Sequence, residues 1–300
     1  MSKKYGVSVV IPAYNEENGI AGTLEALIAS LQKATFDYEI IVVNDGSTDN
    51  TGSLLTKFPV KAITNDINLG YGGSIKNGIQ QATHELICIT DADGTYPNER
   101  IPELVSELIS HNADMVVGAR TGSQVAIPYI RRPAKWVIGK LANYSVARKI
   151  PDINSGLRVF RRDIALNFFN LLPNGFSLTT TITLAMLTNN YKVRYISINY
   201  FPRKGKSKIR PIHDTVNFLI LIARIALYFA PLRIFMPLSF IFFILGLLWG
   251  ISSYVWLGKV ADLSTLVLIL ASTQLGATGM LAELVNHRIP NSYVNNRNED

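Results

Sequence analysis

Between Ile234 and Leu257 the chain runs for about 24 residues without a charged side chain. As a helix that run is long enough to cross a hydrocarbon core of ~30 Å. A chain that contains it needs two solvents, lipid around this segment and water around the rest. A second apolar run, Leu263–Val285, is broken only by Glu283 near its end. The link between the runs, Gly258–Asp262, is short, which predicts an antiparallel helical hairpin. Arg224, Arg233, His287 and Arg288 lie at the outer ends of the pair, whereas the link sets Lys259 against Asp262. This Lys/Arg bias puts both chain termini in the cytoplasm. Glu283 could be a functional intramembrane acid, but its place within a turn of the helix end favours an interfacial carboxylate. The stretch 213–232 is apolar, short and interrupted by Arg224. It reads as interfacial helices, with a third span, which would put the C-terminus outside, as the alternative. Residues 288–300 form a polar cytoplasmic tail.

Residues 1–212 have a different character. Met1–Gly6 is polar and leads straight into a strand, so no signal peptide is expected and this part stays in the cytoplasm. The net charge of +7 suits nucleic acid or an anionic membrane surface. The densest basic cluster lies just before the apolar region, which favours the membrane and no nucleic acid. The single cysteine, Cys88, excludes an intrachain disulfide, and its apolar surroundings predict a buried, inert thiol. Strand-like runs at Val7–Ile11, Glu39–Asn44, Val60–Ile63, Leu86–Thr90 and Asp114–Gly118 alternate with helical patterns over Ile20–Leu31, up to about Gln81, and over Ile101–Ile109. That alternation predicts an α/β fold, a mostly parallel sheet with helices on both faces. Polar or glycine-rich loops at Tyr14–Glu17, Asp45–Asp49, Asn68–Ser74 and Asp91–Thr95 follow four of the strands. Strand ends of one sheet converge on one edge, so these loops should meet around one ligand.

Asp91-Ala92-Asp93 closes the apolar run Leu86–Thr90 and precedes Gly94. Two carboxylates at that spacing suit a hard divalent cation that also touches a diphosphate; an ordinary solvated turn has the same residues. Gly70-x-Gly72-Gly73, with Lys76 nearby, could offer amides to a phosphate. Its spacing is not the dinucleotide fingerprint, and a tight turn is the simpler reading. Arg203, Lys204, Lys206, Lys208 and Arg210 crowd around Gly205 and Ser207. Cations on a glycine hinge suit a phosphate clamp, and the same cluster suits adsorption to anionic lipid.

Val9-Val10-Ile11-Pro12-Ala13-Tyr14-Asn15-Glu16-Glu17, Val42-Val43-Asn44-Asp45-Gly46-Ser47-Thr48-Asp49 and Asp91-Ala92-Asp93 together resemble the family 2 glycosyltransferases of the GT-A fold, which is Rossmann-like. Asp152-Ile153-Asn154-Ser155-Gly156-Leu157-Arg158 and Arg203-x-Gly205-x-Ser207-Lys208 resemble the narrower group of dolichyl-phosphate mannose synthases and polyprenyl-phosphate glucosyltransferases. The likeness covers about residues 5–210, and the hairpin is similar to that of the two-span members. It implies that Pro12, Tyr14, Glu16 and Asp45 hold the nucleotide base and ribose. Asp91, with Ala92, would lie by the ribose and sugar, Asp93 would bind Mg²⁺ or Mn²⁺, and Arg120 would sit in the donor site. Arg203, Ser207 and Lys208 would close over the phosphates. Arg131 would line the path to the acceptor phosphate, or else face lipid headgroups. Asp152 matches the proposed catalytic base, beside Asp91 and Arg203. The mannose synthases carry Leu-Gln after the Asp-x-Asp and use the Gln on the metal. Gly94-Thr95 stands there instead, so Thr95 would ligate by its hydroxyl or through water.

The resemblance implies a membrane-bound inverting enzyme. It would move a sugar from a nucleotide-sugar donor to a polyprenyl or dolichyl phosphate and release a nucleoside diphosphate. A UDP-sugar, glucose first, is the preferred donor, with GDP-mannose as the alternative. The acceptor's second pKa near 6 leaves it ionised at neutral pH, so positioning and charge stabilisation can carry the reaction without a strong base. The resulting organisation is a cytoplasmic GT-A domain (1–212), interfacial helices (213–232), two spans in a prokaryotic cell membrane (233–287) and a tail (288–300). A homo-oligomer is compatible with it. A processive polysaccharide synthase would carry Gln-x-x-Arg-Trp, and no such motif occurs in the sequence. Transfer to diacylglycerol is a further rival. A non-enzymatic nucleotide-sugar-binding adaptor is opposed by the intact Asp91, Asp93 and basic loop.

Overall fold

The computed structural model describes residues 5–125, 150–202, 231–259 and 262–287. Arg131, Arg203, Ser207, Lys208 and most of the expected interfacial segment fall outside them. The described residues belong to two compact units, one within 5–202 and one within 231–287.

The first unit is built on seven strands: β1 (Gly6–Ala13), β2 (Asp37–Asp45), β3 (Lys61–Asn65), β4 (Leu86–Ile89), β5 (Met115–Val125), β6 (Arg158–Arg161) and β7 (Val193–Tyr200). Their order in the sheet is β3-β2-β1-β4-β6-β5-β7. All neighbours pair in parallel except β6, which runs antiparallel to both β4 and β5. The helices are α1 (Ile20–Leu31), α2 (Thr51–Leu55), α3 (Tyr71–Gln81), α4 (Ile101–Ser110), α5 (Arg162–Asn167) and α6 (Leu178–Thr188). Side chains alternate across a strand. Val7, Val9 and Ile11 of β1 share a core with Leu24 and Leu27 of α1 and with Leu104 and Leu108 of α4. Val10 points the other way, where a Cβ on Gly78 of α3 would meet it at 2.3 Å. Both faces are therefore covered, as the nearly continuous apolar strands require. Burying each such Val or Leu fully contributes roughly 1.5–3 kcal/mol. Cys88 lies in this core, and burial pushes its thiol pKa well up, so it is inert as expected.

The reversed direction of β6 decides what the sheet edge can hold. Parallel strands β1 to β5 bring their carboxyl ends to one edge. The stretch Asp152–Leu157 precedes an antiparallel strand, so it arrives at that same edge. A uniformly parallel sheet would have put it at the opposite one.

In the second unit α7 (Pro231–Leu257) and α8 (Asp262–His287) are two helices long and apolar enough to cross a membrane. The helical conformation of α7 already includes Arg233, which precedes the charge-free run. They pack through small residues, as lipid-embedded helices do. A Cβ on Gly279 would meet Phe235 at 2.6 Å, and one on Gly276 would meet Ser239 at 3.2 Å. Ser239 Oγ donates to the Ser272 carbonyl at 2.8 Å. Large apolar side chains such as Phe240, Leu248, Val255 and Trp256 point outward. Glu283 accepts the Leu232 amide at 3.4 Å, a further contact between the two helices.

Candidate active site

The loop after β4 is shaped by Gly94, whose φ of +73° lies in the left-handed region that glycine enters without strain. That turn folds Thr95 back onto Asp93. The Asp93 Oδ1 accepts the Thr95 amide at 3.1 Å and the Thr95 hydroxyl at 2.7 Å, and both residues are buried. Thr95 thus orients the carboxylate that the sequence assigns to a metal. Ala92 is held from below, its carbonyl accepting the Thr23 hydroxyl at 3.0 Å. Asp91 accepts the Tyr71 hydroxyl at 3.0 Å. A Cβ on Gly156 would come within 2.9 Å of Asp91 and 3.1 Å of the Tyr96 ring, so only glycine lets this loop close on the carboxylate. The Gly156 amide donates to the Tyr96 hydroxyl at 2.6 Å. Burial, and then the charge of Asp91, push the Tyr71 phenol well above its ordinary pKa. Burial raises Tyr96 as well, against the opposing pull of Arg120. Both shifts favour the neutral phenol, the form in which Tyr71 donates to Asp91.

Arg120 ends the well-paired part of β5, and Asp152 lies beside it. The Asp152 Oδ2 accepts Arg120 Nε at 2.7 Å and the Arg120 amide at 3.1 Å. Its Oδ1 accepts Arg120 Nη2 at 2.9 Å and the Asn154 amide at 3.2 Å. This is a bidentate fork with the Asp152 side chain fully buried. Burial works against the Arg120 charge, but the hydrogen bonds it donates to Asp152 outweigh that and hold the guanidinium protonated. Tyr200 at the end of β7 supports Arg120, whose guanidinium carbon lies 5.2 Å from the ring centroid, and Tyr200 meets Tyr96 edge-on at 5.2 Å. Below, the wholly buried Arg158 of β6 donates to the Ser155 carbonyl, to the Thr179 carbonyl at 2.8 Å and to the Thr183 hydroxyl at 2.8 Å. It ties the 152–156 loop to α6, and burial lowers its pKa.

Two further loops complete the edge. Asn15 adopts φ +51°, an uncommon conformation for a residue with a Cβ. Its carboxamide oxygen accepts the Thr48 amide at 2.7 Å, and its own amide donates to Ser47 Oγ at 2.9 Å. The Glu16 amide donates to the Thr51 hydroxyl at 2.8 Å. The loop that carries Pro12, Tyr14 and Glu16 is thereby tied to the one that follows Asp45. Asp45 itself accepts Asn65 Nδ2 at 2.8 Å and the amides of Leu69 and Gly70 at 2.9 Å each. Most of its acceptor capacity holds the next loop in place.

The glycines of that loop serve packing. The Gly73 amide donates to the Asn174 carbonyl at 3.0 Å, and a Cβ on Gly72 would lie 2.2 Å from the Pro173 carbonyl. Backbone meets backbone here, so Gly72→Ala should destabilise the domain by about 1–3 kcal/mol, read as a lower thermal midpoint. An unchanged midpoint would show that the loop adapts.

The edge thus gathers Asp91, Asp93, Thr95, Arg120 and Asp152, with Asp45 joined to them through Gly70 and Tyr71. Tyr71, Tyr96, Tyr200 and Arg158 also belong to it, and no local pattern in the sequence gives any of them a role. Tyr71 carried the one visible signal, an aromatic set between glycines after a strand.

Comparison with known proteins fits this geometry. The profile of glycosyl transferase family 2 matches residues 8–169, and that of the GtrB C-terminal hairpin matches residues 230–287. The chain is 29% identical over 233 residues to a low-salt glycan biosynthesis hexosyltransferase of Haloferax volcanii, covering 75% of this chain and 55% of that one. It is 36% identical over 164 residues to an undecaprenyl-phosphate 4-deoxy-4-formamido-L-arabinose transferase of Pectobacterium atrosepticum, 53% of this chain and 49% of that one. A dolichyl-phosphate hexose transferase of Haloferax volcanii is 28% identical over 206 residues, 68% of this chain and 87% of that one. The match thus spans about half the length of the first two relatives. Glucosyl-3-phosphoglycerate synthase from Mycobacterium tuberculosis, solved with Mg²⁺ and uridine diphosphate, superposes with a TM-score of 0.59 at 17% identity, over 74% of this chain and 78% of that one; this establishes the shared fold. The family profile runs from β1 through α5 and covers more than half of the 300 residues: the chain belongs to glycosyl transferase family 2.

Proposed function

We propose that the protein transfers a sugar from a nucleotide-sugar donor to a polyprenyl or dolichyl phosphate, releasing a nucleoside diphosphate. The observation that carries this reading is the edge itself: Asp91 and Asp93 on one strand end, beside an arginine locked by Asp152. The names of the relatives support the lipid-phosphate acceptor, as does the matched C-terminal hairpin. A UDP-sugar, glucose first, is the donor we favour, with GDP-mannose second. The catalytic unit and both termini lie on the cytoplasmic side, on the strength of Arg233, His287 and Arg288 at the outer ends of the hairpin.

The donor set fits a divalent ion of the hard, oxygen-seeking kind. Asp93 and Thr95 supply only oxygen, and among the described residues no group of three or more His, Cys, Asp or Glu could hold a metal alone. Diphosphate and water oxygens would complete the shell, the usual arrangement for Mg²⁺. Such an ion, when bound, neutralises charge that develops on the leaving diphosphate. The protein's own residues do the rest. An oxygen of the lipid phosphate attacks the anomeric carbon, the bond from that carbon to the diphosphate oxygen breaks, and the diphosphate leaves with the electron pair. Arg120, two of whose side-chain N–H groups are engaged by Asp152, is a preorganised cation for the charge developing in that step. Arg203, Ser207 and Lys208 are the proposed clamp on the phosphates, and Arg131 a contact for the acceptor. Asp152, already accepting four hydrogen bonds, acts on this reading by fixing Arg120 rather than by taking a proton.

Detergent-solubilised protein supplied with UDP-glucose and undecaprenyl phosphate should release UDP and form lipid-linked glucose. Omitting the lipid should suppress release. A panel of UDP- and GDP-sugars that yields no lipid-dependent release would overturn the proposal.

A further inference from the structure

The segment Pro173–Ser177, between α5 and α6, is clamped backbone to backbone on the start of α3, yet it leaves Phe176 81% exposed. An exposed aromatic ring is by itself ordinary. What sets Phe176 apart is what lies beneath it. Its ring stacks on Tyr71 at 5.2 Å between centroids and 21° between planes, and Tyr71 donates its hydroxyl to Asp91. One packed series thus runs from a carboxylate of the candidate active site, through the Tyr71 phenol, to an open aromatic face. Gly70, Gly72 and Gly73 keep the approach tight enough for the two rings to meet. The bond from the Gly73 amide to the Asn174 carbonyl fixes the loop that carries the ring, so its place is set by backbone contacts and by Tyr71.

We propose that Phe176 is a stacking platform for the sugar ring of the donor and that the Tyr71–Phe176 pair helps to select which sugar is accepted. This rests on the nucleotide-sugar reading above. A pyranose presents a face of C–H groups, each slightly positive, and an aromatic ring presents a negative face. On the donor reading above Asp91 lies by the ribose and sugar, and Phe176 offers its open face one ring beyond that carboxylate, past Tyr71. Tyr71 keeps Phe176 from turning away and ties its position to that of Asp91.

Full-length Phe176→Ala and Phe176→Trp would be compared with wild type in three measurements: affinity for UDP, affinity for UDP-glucose and other UDP-sugars, and KM for undecaprenyl phosphate. The ring is solvent-exposed, so both variants should fold, which circular dichroism checks. The expected result is unchanged affinity for UDP and a roughly three- to tenfold loss for the UDP-sugar in the Ala variant, the size of an aromatic contact. The Trp variant should regain most of that loss, and the KM for lipid should not move. Equal UDP-sugar affinity in wild type and the Ala variant would overturn the platform while leaving the donor reading intact. A rise confined to the KM for undecaprenyl phosphate would overturn it in favour of a contact with the acceptor. Wild-type protein that binds no sugar nucleotide of the UDP or GDP series would overturn the donor reading and this inference with it.

Discussion

Asp93→Asn should lower kcat roughly a hundred- to a thousandfold, about 2.7–4 kcal/mol of transition-state stabilisation, while leaving the protein folded. Asparagine has nearly the shape of aspartate and keeps one carbonyl oxygen. That oxygen can still accept the Thr95 amide and hydroxyl, which now hold Asp93 Oδ1 at 3.1 and 2.7 Å. What the substitution removes is the charge, and a divalent ion shared with a diphosphate needs that charge. The thermal midpoint should therefore stay near wild type. On the proposed reading Mg²⁺ or Mn²⁺ should raise the affinity of the wild type for UDP, and in Asp93→Asn that gain should be absent, a readout independent of turnover. Thr95→Val should lose activity less severely, because the carboxylate remains but its hydroxyl partner does not. Full turnover by Asp93→Asn, or wild-type activity that chelators leave intact, would remove the metal from this loop.

The part of this site that was legible in the sequence is the part written in local chemistry. Asp91, Asp93 and Gly94 announce a polar turn at the end of an apolar run, and helix α1 follows its apolar spacing over Ile20–Leu31. Strand β6 was not legible. It has four residues, begins and ends with arginine, and buries Arg158 completely, so neither alternation nor hydrophobicity marks it. Its direction is set by pairing with β4 and β5, a long-range contact that no local pattern encodes. The tyrosines were hidden for a related reason. Tyr71 opens α3, Tyr96 lies in the loop after β4 and Tyr200 ends β7, and only the folded edge brings them together. The glycine stretch after β3 has the local signature of a turn, and the reason for its glycines is the passage of Pro173–Gly175, about a hundred residues later in the chain. Asp152 was visible as a motif residue, but its partner Arg120, 32 residues away in sequence, could not be read from it.

That pairing gives the second large effect. Asp152→Asn would turn an amide N–H₂ toward either the Nε–H or the Nη2–H of Arg120, donor against donor, and leave a largely buried guanidinium half-paired. Breaking a buried ion pair costs on the order of 3–5 kcal/mol, here divided between stability and positioning of the cation. Turnover should fall about a hundredfold or more. Arg120→Lys should fall comparably, since an ammonium cannot reproduce the planar fork. If the two residues act as one unit, the double variant should be little worse than either single one, with a coupling of at least about 1 kcal/mol in a double-mutant cycle. The pH dependence separates this from a base. The nucleophile proposed here is a phosphate monoester whose second pKa is near 6. Activity should therefore rise as the pH increases through that value and level off above it. Because that limb belongs to the acceptor, Asp152→Asn should lower the plateau and leave the limb where it is. Loss of the limb in Asp152→Asn, or independent and multiplying effects of the two substitutions, would return Asp152 to the role of proton acceptor.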